Sequence, residues 1–274
     1  MPFTPMLFTQ RPIQLVAAER DMMRRAARFN AQLMDEIRAR VRAGVTTGSI
    51  DDFVKEYTLS HGHTPTQLGY VVGEETYPRC TCISVNDVIC HGIPGSYAFK
   101  DGDIANIDVT TTVHGWIGDS SETFMIGDVS HKARGVVQCA FDAMWAAINE
   151  LTPGCRVATI GKAIVALAKQ RGYGVVRDFV GHGVGRKFHQ EPSIPHYPTP
   201  ESYRQRLLPG MTFTIEPMIN TGSRHTEVDK RDGWTVRTKD GGLSAQFEHT
   251  ILMTEDGPEA LTVTKYGPQR GHKF

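Results

Sequence analysis

From about residue 15 to 42, apolar residues recur at Met22, Ala26, Phe29, Leu33, Ile37 and Val41, with charges on the opposite side. That spacing predicts a long amphipathic helix, ended by Gly44. Ser49 then fits an N-cap with Asp52 three positions on, and Ile50, Val54 and Tyr57 form the stripe of a short helix stopped by Gly62. The same arrangement returns further along. Val137, Ala140, Met144, Ile148 and Leu151 mark a helix over about 130–151, ended by Pro153-Gly154. Thr159 fits the cap of a second one, with Ile160, Ile164 and Leu167 on its stripe and Gly172 as its stop. Gly44 matches Gly154, Ile50 matches Ile160, Val54 matches Ile164 and Gly62 matches Gly172, all at an offset of 110 residues. Two copies at so long a period indicate a two-fold duplicated domain, not a solenoid.

Strand-like sequence follows each helix pair: 82–85, 104–112 and 116–126 in the first half, then 211–219, 233–238 and 243–254 in the second. Helices on one face of a shared antiparallel sheet place the chain in the α+β class. No linker separates the halves, about 15–127 and 128–265, so one domain over 1–274 is expected. Residues 1–14 read as an irregular arm, and Tyr266 to Phe274 as a polar, loose tail. Within the first half, His114-Gly115 between two β-prone runs is a hairpin signal. With those two residues as the loop, Asp108 falls opposite Ser121, and Asp119 emerges on the same face. Two carboxylates so placed would repel, leaving at least one protonated near neutral pH unless a cation sits between them; from the hairpin alone, the simpler expectation is that both are solvated on an exposed face.

Composition narrows the function classes. Lys plus Arg equals Asp plus Glu, 30 each, so no strong field favours nucleic acid or an anionic membrane. No apolar run approaches a membrane span, and the N-terminus lacks the pattern of a signal peptide. Cys80, Cys82, Cys90, Cys139 and Cys155 form no CxxC pair, and a reducing cytoplasm with free thiols is the expected setting. A chain of 274 residues buries a full core without staples.

Five positions, two of them already placed on the hairpin, change the picture. Asp108, Asp119, His182, Glu216 and Glu248 stand in apolar or Gly-rich surroundings: NIDVT, IGDSS, VGHGVG, FTIEPM and AQFEHTIL. Taken singly, each is most simply a satisfied core or strand-end group, because buried acids need a partner. Four acids and one imidazole drawn from both halves of a repeat point instead to a shared site. An oxygen-rich set with one nitrogen suits a pair of borderline divalent ions, Mn, Fe, Co or Zn. Two such ions can activate water and polarise a carbonyl, which is hydrolase chemistry.

The stretches around Cys90-His91-Gly-Ile-Pro, Asn106-Ile-Asp108, Gly118-Asp119-Ser-Ser, Gly181-His182-Gly through His189-Gln-Glu-Pro, Thr214-Ile-Glu216-Pro-Met and Gln246-Phe-Glu248-His-Thr resemble those of type I methionine aminopeptidases. The resemblance runs from about residue 15 to 265 with every motif in order. It implies the pita-bread fold, a curved antiparallel sheet backed by two helix pairs. It implies two divalent metal ions held by Asp108, Asp119, His182, Glu216 and Glu248, with Asp119 and Glu248 bridging. It also implies His91 and His189 as catalytic, substrate-contacting histidines that are not ligands, with Glu216 as proton carrier. A methionine pocket follows from the same resemblance, at Tyr70, Tyr77, Cys82, Phe188 and Trp234. The implied activity is removal of the initiator methionine from nascent chains whose second residue is small. A peptide N-terminus is the implied partner and the ribosome a further candidate; neither nucleic-acid sequence readout nor a membrane is expected, and a monomer is.

The chain departs from the common bacterial pattern at Val71–Thr76, which is lengthened, and at Gln67, where a Cys is expected near the pocket wall. Competing readings fare worse. Gly181-His-Gly-Val-Gly lacks phosphate-loop and dinucleotide spacing, and Cys80, Cys82, Cys90 and His91 are poorly spaced for zinc. Pro-directed aminopeptidases or dipeptidases of the same fold carry an extra N-terminal domain for which there is no room. Non-enzymatic binding members have lost ligands that all remain here.

Overall fold

The structure, a computed structural model, describes residues 12–274. The first eleven residues of the expected arm lie outside it. Four helices form where periodicity puts them: α1 (Ala17–Arg38), α2 (Thr47–Ser60), α3 (His131–Asn149) and α4 (Ala158–Gln170). The matched stop glycines share one backbone state. Gly44 and Gly154 have φ of 85° and 81°, and Gly62 and Gly172 have 72° and 78°. A side chain resists that left-handed conformation, and glycine adopts it freely. Two caps differ from expectation. α2 is capped by Thr46, whose hydroxyl accepts from the Ser49 amide at 3.1 Å; the Ser49 hydroxyl donates back to the Thr46 carbonyl. Thr46 is extended at φ −82°, ψ 148°, so the helix starts one turn early, before Ser49 is reached. α4 follows Val157 with no side-chain cap, which leaves Thr159 inside it.

The hairpin has the expected register. Strands Ile104–Val113 and Trp116–Met125 pair along their full length, with Asp108 opposite Ser121 and Thr110 opposite Asp119. His114 (φ 50°) and Gly115 (φ 79°) supply the two left-handed residues of a type I′ turn. The nine-stranded sheet runs Thr64–Pro65, Ile104–Val113, Trp116–Met125, Glu248–Met253, Thr212–Ile215, Gly181–Gly183, Gln190–Ile194, with Thr81–Val85 and Pro258–Ala260 paired beside this path. Its two halves meet where Glu248 faces Ser121 and His249 faces Ser120. Two expected strands are interrupted. The first splits into Thr212–Ile215 and Met218–Asn220 around Glu216-Pro217, since proline has no N–H for a ladder. The second splits at Phe247 into Ser244–Gln246 and Glu248–Met253. The fragments pair with each other on both sides of the break, so the two strands change sheet together. Of the expected strand over 233–238, Val236–Thr238 forms.

Each half has its own apolar core. Leu33, Met34, Ile37, Ile50 and Val54 from α1 and α2 pack on Ala105, Ile107 and Val109. Val137, Ala140, Met144, Ile160 and Ile164 from α3 and α4 pack on Phe213, Ile215 and Ile251. The C-terminal segment is docked, contrary to the expectation of a loose tail. The Phe274 ring lies 5.5 Å from Phe141 and 5.7 Å from Phe247, and its amide donates to Gln138 Oε1 at 2.9 Å. One terminal aromatic with a hole to fill outweighs the polar run before it.

α1 lies unusually close to the sheet. Asn30 is fully buried, and its Nδ2 donates to the Val109 carbonyl at 2.8 Å and the Gly118 carbonyl at 3.0 Å, while the Ser120 hydroxyl donates to its Oδ1. A Cβ on Gly118 would stand 2.6 Å from the Ala26 carbonyl oxygen, backbone against backbone. Gly118→Ala is therefore expected to cost about 1–3 kcal/mol through overpacking, seen as a lower denaturant midpoint with the slope unchanged. An unaltered midpoint would show that α1 can move off the sheet without penalty.

Candidate metal centre

The five acidic and imidazole residues converge by register. Asp108, Ser121 and Glu248 form one row across three adjacent strands. Asp119 lies two residues from Ser121 on the same face. Ile215 pairs with His249, so Glu216 leaves the next strand beside Glu248. The His182 amide donates to Thr214 Oγ1 at 3.0 Å, which sets His182 on the following strand at the same level. Ligand atoms of Asp119, His182 and Glu248 all lie within 4.8 Å of one another. Asp119, His182, Glu216 and Glu248 are buried, and Asp108 is partly exposed at the wall.

His182 Nε2 lies 3.6 Å from both Asp119 Oδ2 and Glu216 Oε1. These contacts are not ion pairs, because burial drives the His182 pKa down to about 4. Its Nδ1 lies 3.1 Å from the Gly183 carbonyl, so Nδ1 carries the proton and Nε2 presents a lone pair. Burial pushes the Asp108 carboxyl up to about 7 and the Glu216 carboxyl up to about 8. It raises Asp119 and Glu248 well above the usual range, and the neighbouring carboxylates raise them further. A lone pair and several carboxylate oxygens thus face one buried point with no basic side chain among them. Only protons or cations relieve that arrangement, and four oxygen ligands with one imidazole suit borderline divalent ions.

Neutral donors hold the cage in shape. Thr110 Oγ1 donates to Asp119 Oδ1 at 2.8 Å, Thr214 Oγ1 to Glu216 Oε1 at 2.7 Å and Gln246 Nε2 to Glu216 Oε2 at 3.1 Å. Such outer partners fix ligand orientation. Sequence reading missed these three, although a signal existed: Thr214 and Gln246 precede Glu216 and Glu248 by two positions, and Thr110 follows Asp108 by two. Gln67, noted only as a departure, donates to Asp108 Oδ1 at 3.1 Å and lies 3.7 Å from Cys82 Sγ.

The other expected residues surround the cage. The His189 ring is 4.2 Å from the His182 ring, and burial lowers its pKa well below the histidine range. His91 has φ 57°, uncommon without glycine, and its ring faces Phe179 at 5.4 Å and Trp234 at 6.2 Å. Tyr77, Cys82 and Trp234 form one buried apolar cluster against which Tyr70, Val72 and Ile93 pack. Phe188 joins through Tyr70, ring to ring at 5.0 Å. The segment expected to be lengthened is a small hairpin, Val71–Val72 against Glu75–Thr76. Its base is closed by Tyr70 and Tyr77, whose backbones bond at 2.8 Å. Another groove, of about 560 Å³, runs between α1 and the Glu259–Tyr266 segment and contains none of these residues.

A duplicated α+β fold with a buried acid cage at its seam defines a metal-dependent hydrolase. The chain belongs to metallopeptidase family M24, whose family model matches residues 21–255. It is 44% identical over 242 residues to the methionine aminopeptidase of Rickettsia prowazekii, covering 88% of this chain and 92% of that protein. It is 45% identical over 253 residues to methionine aminopeptidase B of Synechocystis, with 92% of each covered. The crystal structure of the Rickettsia prowazekii methionine aminopeptidase superposes with a TM-score of 0.88 at 42% identity, covering 92% of this chain and all of that one. The pita-bread architecture implied by the motifs is thereby borne out.

The raised carboxyl pKa values make metal removal pH-dependent. Stripped protein holds protons that the unfolded chain has released above pH about 4, so its stability falls as pH rises through about 7 and 8. Cation binding strengthens over the same range. Chelator is therefore expected to lower the melting temperature more at pH 8 than at pH 5.5, measured by calorimetry with and without metal. An equal drop at both pH values would count against charge repulsion in the cage.

Proposed function

We propose that this protein is a methionine aminopeptidase, removing N-terminal methionine from peptides and new chains with a small second residue. The gathering of Asp119, His182 and Glu248, with Glu216 3.6 Å from His182 and Asp108 in register beside them, next to an aromatic and thiol pocket, carries this reading. Those five residues would hold two divalent ions drawn from Mn, Fe, Co and Zn. When bound, such ions supply Lewis acidity and an activated water at neutral pH. The methionine side chain enters among Tyr70, Tyr77, Cys82, Phe188 and Trp234, where sulfur–aromatic contacts contribute about 0.3–1.5 kcal/mol. Water adds to the scissile carbonyl, Glu216 takes its proton, and the same carboxyl returns it to the departing amide nitrogen as the C–N bond breaks. His189 donates to the oxyanion, a contact that strengthens in the transition state. His91 contacts the amide of bound substrate.

The five cysteines are free thiols, which fits the reducing cytoplasm as its setting. No helix among the described residues is long and apolar enough to cross a membrane. A monomer with peptide N-termini as substrate, and the ribosome as their source, completes the reading. A Pro-directed peptidase of the same fold is the runner-up. The relatives at 44% and 45% identity, which bear the methionine name, count against it.

Separate roles for the two histidines give the main test. His182→Ala should lose metal, whereas His189→Ala should keep it and lose about 10²–10⁴-fold in kcat. Metal content and steady-state kinetics on Met-Ala peptides under one metal condition read both. Metal loss in His189→Ala, or turnover at the parent rate, would overturn the assignment. In a second test, Trp234→Ala or Phe188→Ala should narrow the preference for methionyl over leucyl peptides. A parent enzyme that cleaves both equally would remove the pocket from the reading.

A further inference from the structure

We infer that Tyr70 is a positioning residue, whose hydroxyl holds the proton of His189 on Nε2 and so makes that ring the oxyanion donor. The inference rests on the proposed role of His189 and adds how the ring is set for it. The Tyr70 hydroxyl lies 2.6 Å from His189 Nδ1, a short contact for an O–H to nitrogen hydrogen bond. The rings are tilted with centroids 5.1 Å apart, so the phenol reaches the imidazole by its edge.

Proton accounting decides the direction. A neutral imidazole has one N–H and one lone pair, while a phenol has one O–H. The phenol meets the ring at Nδ1 at hydrogen-bond distance, so that contact uses either the phenol O–H or a ring N–H, and only one of them. No second acceptor for the Tyr70 hydroxyl lies within hydrogen-bond reach among the described residues. If Nδ1 carried the proton, it would donate to the tyrosine oxygen, the phenol O–H would have no acceptor in the protein, and Nε2 would be a bare lone pair. With the phenol donating to Nδ1, both polar groups are satisfied and Nε2 carries the N–H. A developing oxyanion can be stabilised only by the second arrangement. A histidine tautomer is generally fixed by the partner at its other nitrogen.

Tyr70 is well held for this task. Its amide donates to the Gln67 carbonyl at 3.1 Å, and its carbonyl accepts from the Tyr77 amide at 2.8 Å. Phe188 packs against both rings, 5.0 Å from Tyr70 and 4.1 Å from His189. The hairpin at Val71–Thr76 therefore does more than wall the methionine pocket. Its base sets a phenol against the imidazole that stands over the cage.

Tyr70→Phe keeps the ring and removes the hydroxyl, so it separates positioning from pocket lining. The experiment uses the zinc-loaded enzyme with ¹⁵N-labelled histidine, His189 being assigned by comparison with His189→Ala. The parent should show Nε2 protonated and Nδ1 bare, and Tyr70→Phe should show a mixture of tautomers. On Met-Ala peptides the same variant should lose about tenfold in kcat, the scale of one hydrogen bond, with KM changed less than about twofold. A parent ring protonated on Nδ1 would overturn the inference. So would a Tyr70→Phe variant with an unchanged tautomer, or one with raised KM and parent kcat. Failure of the underlying role is separately visible, because His189→Ala would then turn over at the parent rate whatever tautomer is observed.

Discussion

Mutual repulsion among buried carboxylates is the constraint around which this molecule is arranged. Asp119, Glu216 and Glu248 lie buried together with a histidine that presents a lone pair, and Asp108 stands at their edge. Left to themselves these groups would swing apart into water. Strand register prevents it: each is fixed on a paired backbone, and Thr110, Thr214, Gln246 and Gln67 hold the carboxylates from behind. The cage is therefore preorganised at the expense of stability in the absence of cations, as functional sites commonly are. Two apolar cores, one under each helix pair, provide the stability that the seam between them lacks.

The repeat and the hairpin are legible in the sequence because each rests on a local rule. The glycine stops recur at an offset of 110 residues, and all four glycines adopt the left-handed state that a helix stop requires. The two-residue turn places Asp108 and Asp119 on one face from alternation alone. What escapes is set by contacts distant in sequence. Thr46 takes the cap from Ser49 because the chain is already extended there. The breaks at Pro217 and Phe247 let two strands leave one sheet for another together, and neither break is visible in one strand considered alone. Phe274 finds a place between Phe141 of α3 and Phe247, which lies at a strand break far away in the chain. The cage residues are legible as an anomaly, acids in apolar surroundings, whereas the neutral residues behind them are not, since a threonine or glutamine in a strand is ordinary by composition.

The join between the halves has a consequence for when the protein becomes dangerous to its surroundings. Asp108 and Asp119 come from the first half, and His182, Glu216 and Glu248 from the second, with Glu248 pairing to Ser121 across the join. A growing chain can complete the first helix pair and hairpin with only two of the five residues in hand. The cage closes only when the strand bearing Glu248 docks beside Ser121, the same step that brings Ile251 into the second core. Latency is thus written into the order of the sequence: on the proposed metal centre, a chain made only as far as the hairpin carries two of the five residues that would hold the ions.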